Sequence, residues 1–170
     1  MKKILLSLIG LVVIGFAFTL LSGYSLVIGP NDSLTMEDIE CVNGKINPLG
    51  SFDFSKDSWK MYVQISSSDM NELPDNMRKV NFIKTSDLVT IKNIQEKWSF
   101  SCNEGEDIST AESKLFLFKD GDLVFESAIV ISDSIEGLQS HSFGWIHSKE
   151  GIISSELENF ERQYFPIVFL

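Results

Sequence analysis

His141 and His147 are the only two histidines in the chain, and a histidine pair is the first place to look for a metal site or a general base. Six residues of extended strand cover about 20 Å, too far for both side chains to reach one ion. Only a sharp bend at Gly144 would bring them together, so they read as two ordinary histidines among aromatic neighbours. Cys41 and Cys102 are the only cysteines. Neither has a second Cys or a His at ligand spacing, which disfavours a metal site or a catalytic thiol and leaves one intrachain disulfide. Closing that loop removes about 4 kcal/mol of unfolded-state entropy on the simple chain model, less any native strain.

Other chemistries leave weaker traces. No Gly-x-Ser-x-Gly elbow marks a nucleophile, although serines and carboxylates are abundant enough for a triad to exist. With 24 Asp and Glu residues, the fold could assemble a carboxylate pair of the glycosidase kind, but their number carries no signal. Residues 103–107 (Asn-Glu-Gly-Glu-Asp) and Asp120-Gly121-Asp122 resemble pieces of calcium loops. Both lack the alternating ligands and closing bidentate Glu, so they read as a solvated loop and a hairpin turn. There is no phosphate-cradling glycine loop and no dinucleotide fingerprint, so no cofactor or metal is expected. Residues 136–145 (EGLQSHSFGW) hold two glycines, a His and a Trp near strand ends. His141, Phe143 and Trp145 are therefore the candidate groove residues, with a bulged inner strand as the simpler reading.

The elements that would carry these residues follow an unusual start. Lys2-Lys3 precedes an apolar run over residues 4–21, and no charge occurs from residue 4 to residue 29. A signal peptide has an apolar region of roughly 7–15 residues and a small-x-small cleavage site. A spanning helix needs about 20 apolar residues. This segment lies between the two, with Gly23 and Ser25 as a possible cleavage pair and an apolar continuation through Leu26-Val27-Ile28 that favours an uncleaved anchor. A lipid-attachment site is excluded because no Cys is nearby. Residues 1–30 are thus a membrane anchor or signal peptide, with Lys2 and Lys3 on the cytoplasmic side. Residues 31–170 form one exported α+β domain at the outer face of the cytoplasmic membrane, or secreted or periplasmic if cleaved. Two of the 14 basic residues precede that domain, leaving 12 against 24 acids, a formal charge of −12. This excludes nucleic acid as a natural partner and fits a basic envelope protein, or simply solubility.

Within the domain, turns are expected at residues 29–33, Asn43-Gly44 and 47–50. Residues 36–42 read as a strand or a helical turn. Trp59, Met61, Val63 and Ile65 alternate with polar positions, which predicts a half-buried strand. Residues 70–80 suggest a short helix or irregular turn. Leu88, Ile91, Ile94 and Trp98 recur at helical spacing behind Ser86 or Asp87 as cap, and Trp98, Phe100 and Cys102 share a face of a following strand. Residues 103–110 are a polar loop. Residues 114–132 predict a hairpin turning at Asp120-Gly121, with Lys119 opposite Asp122, Phe118 opposite Leu123 and Phe116 opposite Phe125. Residues 137–147 alternate, with His141, Phe143, Trp145 and His147 on one face. Ser155 with Glu158 suggests a capping box before a helix carrying Leu157, Phe160 and Tyr164, stopped by Pro166. Residues 167–170 then form a closing strand or buried tail. The fold class is α+β: an N-terminal hydrophobic helix, then one antiparallel-sheet domain of five to seven strands with one to three short helices. The function these features suggest is a membrane-tethered, non-catalytic binding or accessory protein of the cell envelope. The alternatives are a carboxylate-based hydrolase of envelope polymers and a purely structural envelope protein.

Overall fold

In the computed structural model, residues 2–29, 34, 38–71, 73, 80–102, 112–131, 135–148 and 151–170 are described. The elements in chain order are α1 (Lys2–Ser22), β1 (Leu26–Ile28), β2 (Lys45–Ile46), β3 (Trp59–Gln64), a 3-10 turn (Asp69–Asn71), β4 (Phe82–Thr85) and α2 (Leu88–Lys97). They continue with β5 (Phe100–Cys102), β6 (Ser113–Lys119), β7 (Asp122–Ile131), β8 (Glu136–Ser140), β9 (Gly144–Ser148), α3 (Ile152–Leu157), β10 (Glu161–Arg162) and β11 (Ile167–Phe169). The architecture is α+β: an apolar N-terminal helix, then a mostly antiparallel sheet with two short helices. The expected turn beyond Gly29 and the polar loop at 103–110 lie outside the described residues, as do residues 36–37 of the 36–42 segment and residues 72 and 74–79 of the 70–80 segment.

Nine of the described strands form one sheet in the order β10-β4-β3-β6-β7-β8-β9-β5-β2, and every neighbouring pair is antiparallel. That exceeds the expected five to seven because β2, β5 and β10 hold only two or three residues each. Such short pieces show no period of two. One face of the sheet carries Trp59, Met61 and Val63 of β3, Leu115 and Leu117 of β6, and Ile129 of β7. With α2, α3 and the 47–54 segment, these residues join a single hydrophobic core. The strand at β3 follows from its alternation, and its buried-exposed pattern repeats that alternation residue by residue.

Helix α2 begins where the sequence suggests. Asp87 is its N-cap, accepting from the backbone N–H groups of Val89 and Thr90, and Ile91 and Ile94 point into the core. Trp98 ends the helix rather than starting β5, its N–H bonded to the Ile94 carbonyl.

The β6–β7 hairpin turns at Asp120-Gly121, both with positive φ as that turn requires. Lys119 faces Asp122 and Phe118 faces Leu123, but Phe116 faces Glu126 and Leu117 faces Phe125. A register shift between Leu117 and Phe118 moves the pairing by one residue. It turns Phe125 into the core, away from Phe116.

Residues 137–147 are two strands, not one. Residues 141–143 form a turn, and Gly144 takes a φ of 68° as β9 begins. The bend is thus present, yet it sets His147 opposite Gly137 on β8, while His141 stays in the turn.

Helix α3 starts at Ile152, so Ser155 lies inside it, its hydroxyl bonded back to the Ile152 carbonyl. The capping group comes from across the fold. Glu136 on β8 is buried and its two carboxylate oxygens accept from the N–H groups of Ile153 (2.6 Å) and Ser154 (2.9 Å). A carboxylate at a helix start satisfies orphan donors and meets the positive end of the dipole. Leu157 and Phe160 are buried, but Tyr164 is exposed, and the chain has left helical geometry before Pro166.

The remaining two strands stand apart. β1 and β11 pair in parallel, Leu26 with Ile167 and Ile28 with Phe169, in a two-stranded ribbon. α1 runs into this ribbon through Gly23 (φ 73°), whose N–H bonds the Thr19 carbonyl. Asn81, next to β4, fastens the joint. Its N–H bonds the Gly23 carbonyl, and its buried side chain accepts from Ser25 N–H (2.8 Å) and donates to Ser25 carbonyl (3.0 Å). α1 itself is apolar on all sides and almost wholly exposed, with Thr19 its only buried residue.

Candidate functional site

A concavity among the described residues lies on the sheet face turned away from the core, across β6, β7 and β8. It is a groove of about 660 Å³ with Lys114, Glu126, Ala128, Gln139 and His141 along it and Asp38 on one wall. Strand register explains this row. Lys114 stands opposite Ala128, which stands opposite Gln139, so their side chains share one face. Lys114 and Glu126 form an ion pair at 2.8 Å across the hairpin. This half-exposed pair gives the floor opposite charges at little energetic gain.

The far end is the 141–143 turn. The Ser140 hydroxyl accepts from Ser142 N–H (3.1 Å), fixing the turn locally. Ile39 N–H bonds the Ser142 carbonyl (3.0 Å), drawing the segment that carries Asp38 against it. Two residues further, Cys41 is bonded to Cys102 on β5. The disulfide therefore ties the segment that carries Asp38 to β5 of the sheet.

The three candidate groove residues separate. His141 is exposed at the turn and lines the groove. Phe143 turns inward and stacks on Phe125 at 6.2 Å between ring centroids. Trp145 lies on β9, buried, its ring across Gly137 so closely that a Cβ there would meet Trp145 Cη2 at 2.3 Å. Gly137 is thus fixed by packing. Trp145 also stacks on His147, which is buried with no hydrogen-bond partner on Nδ1. Lys114, Glu126, Gln139 and Asp38 were not singled out by the sequence. They come from separate segments, and only the strand register gathers them.

Reactive groups are engaged elsewhere. The described residues hold no group of three or more His, Cys, Asp or Glu placed to bind a metal ion. Both cysteines are in the disulfide. Of the buried carboxylates among the described residues, Glu136 caps α3 and Glu156 pairs with Lys97 at 2.5 Å. Displaced proton affinities also belong to structural contacts. Hydrogen bonds from Ser55 hold Asp53 below the usual carboxylate range, and those from Thr90 and Val89 do the same for Asp87. Burial raises the Tyr62 phenol, and the hydrogen bond to Asp57 raises the Lys119 ammonium. What the groove offers is hydrogen bonding and mixed charge with one carboxylate in excess: one cation, two carboxylates, an amide and an imidazole.

Compared with protein-family models, curated proteins and solved structures, the chain matches no family model, no curated protein and no solved structure.

Proposed function

We propose that this is an exported, membrane-tethered binding or accessory protein of the cell envelope, without catalytic activity. Residues 31–170 stand outside the cytoplasmic membrane and Lys2-Lys3 inside it. The observation that carries this reading is the junction of α1 with a disulfide-closed sheet. α1 has 21 residues and a length of about 31 Å, the thickness of a hydrocarbon core. It exposes apolar side chains on every side, which water does not tolerate and lipid does. The Cys41–Cys102 bond fits an oxidising compartment.

The groove on β6–β8 is the proposed binding surface, taking a polar segment of an envelope partner. The formal charge of −12 on residues 31–170 favours a basic one. A carboxylate hydrolase is the second reading, because Asp38 and Glu126 both line the groove. Against it, Glu126 is held by Lys114, and the buried carboxylates among the described residues, Glu136 and Glu156, serve packing.

The test is an intact mass of the chain from membrane and soluble fractions of its host, with a photo-crosslinker at His141 in a parallel sample. Full-length mass in the membrane, two hydrogens below the reduced form, with a protein adduct at His141 but not at Asp122, supports the reading. A truncated soluble species removes the tether. Turnover of envelope polymer that is abolished in Glu126→Gln replaces the binder with the hydrolase.

A further inference from the structure

The ribbon β1–β11 exposes the wrong residues for a surface in water. Leu26, Phe165, Ile167 and Phe169 are exposed by 61%, 61%, 48% and 73%, and Tyr24 and Tyr164 stand exposed beside them. Residues 22–29 and 163–170 contain no charged side chain, in a chain with 38 of them counted as 14 basic and 24 acidic. The patch is therefore a place where the acidic body presents an uncharged aromatic surface, and it adjoins the end of α1.

We propose that this ribbon seats in the lipid surface of the membrane that α1 crosses, so that the sheet is docked on the bilayer in a fixed orientation rather than swinging from a flexible stalk. The proposal rests on the tether reading and adds a second, independent attachment. Its occupant is lipid, at the boundary of headgroups and acyl chains.

Depth is the strongest argument. Phe165 packs edge-on against Phe16 of α1, ring centroids 5.9 Å apart. Phe16 lies six residues before Ser22 at the end of α1, about 9 Å down the helix axis. α1 is only about as long as the hydrocarbon core is thick. It has no spare turns with which to lift Phe16 out of the bilayer. Wherever α1 spans, Phe165 is carried below its outer end. The joint is short and hydrogen-bonded through Gly23, Ser25 and Asn81, so the ribbon is held beside the outer end of α1, with the Phe165 ring reaching inward from it.

The chemistry agrees with the headgroup boundary rather than the hydrocarbon interior. The ribbon has two strands only, so its outer backbone edges are unpaired among the described residues. Such edges are excluded from hydrocarbon but are satisfied by water and headgroups. Aromatic side chains, tyrosines above all, gather at this level in membrane proteins, and apolar faces enter it by about 5–10 Å. Between ribbon and sheet lies a smaller hollow of about 250 Å³ lined by Tyr62, Phe82, Phe165 and Phe169. Its open mouth gives an acyl chain or a neighbouring side chain a place to enter.

The three native tryptophans, Trp59, Trp98 and Trp145, are buried, which makes an introduced tryptophan readable. Full-length Phe165→Trp, Phe169→Trp and Asp122→Trp chains are reconstituted in phosphatidylcholine vesicles, floated, and mixed with lipids brominated near the glycerol or near the chain end. Asp122 is the control, because it lies at the other end of β3–β6 from Asn81, about 20 Å along the strands. Expected is loss of most of the introduced emission for Phe165→Trp and Phe169→Trp with glycerol-proximal bromine, and none beyond wild type for Asp122→Trp. Chains that float but show equal quenching at all three positions, or none, overturn docking and leave the tether intact. A ribbon shielded from bromine yet cross-linking to a second copy assigns the patch to self-association and overturns lipid as its occupant. Chains that do not float at all remove the tether and the docking with it.

Discussion

Strands β3 and β11 are built from the same kinds of residues and live in different surroundings. In β3, Trp59, Met61 and Val63 are buried beneath α2, α3 and the 47–54 segment. In β11, Ile167 and Phe169 face outward. A two-stranded ribbon is marginal in water by itself, and parallel pairs are found mostly with both faces covered. The nine-stranded sheet carries cover from α2, α3 and the 47–54 segment on one face, whereas the described residues leave the ribbon's apolar side chains exposed. Apolar strands thus identify two solvents in this molecule, the protein interior for one sheet and, on our proposal, a lipid surface for the other.

The sharpest test of that contrast compares two phenylalanines in full-length protein in detergent. Phe125→Ala empties a fully buried position and is expected to lower unfolding stability by about 3–5 kcal/mol. Phe169→Ala changes it by no more than about 0.5 kcal/mol, as for an exposed site. Denaturant titration followed by tryptophan fluorescence measures both. A Phe169→Ala loss as large as that of Phe125→Ala would mean that protein covers the ribbon after all.

The disulfide separates the regions in another way. Replacing Cys41 and Cys102 together by Ser releases the loop they close, a sequence separation of 61, at a cost of about 2–4 kcal/mol. Because the bond holds the segment bearing Asp38, hydrogen exchange should rise at residues 38–42 and in the 141–143 turn. Exchange in β1 and β11 should stay unchanged. Equal loosening of ribbon and groove would show that the two regions unfold as one unit.

Asn81→Ala probes the joint between them. The substitution strips two partners from Ser25 in a buried position, a loss of about 1–3 kcal/mol. The readout that distinguishes a joint from ordinary packing is where exchange increases. Ribbon amides should lose protection while those of β6 and β7 keep it.

What was legible in the sequence divides along the same line. β3, α2 and the Asp120-Gly121 turn are written in local patterns: a period of two, a helical period behind an Asp cap, and a pair suited to positive φ. The groove is not local. Lys114, Glu126 and Gln139 become neighbours through register, and the shift at Leu117–Phe118 that places Phe125 inward has no signature in residue types. The start of α3 has no local signature because Glu136, from a different strand, caps it and makes a local capping box unnecessary. The 137–147 stretch looked like one strand because its aromatic alternation runs on through the turn, with Gly144 the only local sign of the break. β1 and β11 are too short to show a period, and their pairing joins opposite ends of the given chain.

The smallest effect concerns Asp87, the exposed cap of α2, whose helix packs on the nine-stranded sheet and not on the ribbon. The Thr90 hydroxyl (2.7 Å), the Thr90 N–H (3.1 Å) and the Val89 N–H (3.3 Å) all donate to its carboxylate. These bonds favour the ionised form and depress the pKa, with the Thr90 hydroxyl foremost. A carboxyl group that binds its proton less tightly folded than unfolded stabilises the fold above its unfolded pKa of about 3.9. That contribution fades as pH falls through the lower folded value. Asp87→Asn keeps a good cap residue that does not titrate, so it isolates the charge. The stability difference between wild type and Asp87→Asn should be constant near neutrality and shift against wild type as the pH drops below about 4. The emission of a Phe169→Trp reporter in the same background should not respond to the Asp87→Asn change. A difference that stays flat into the acid range would mean that the amide replaces the carboxylate fully. A reporter that moves with it would mean that α2 and the ribbon are coupled, and that the boundary between the two solvents is less sharp than the exposure of their residues implies.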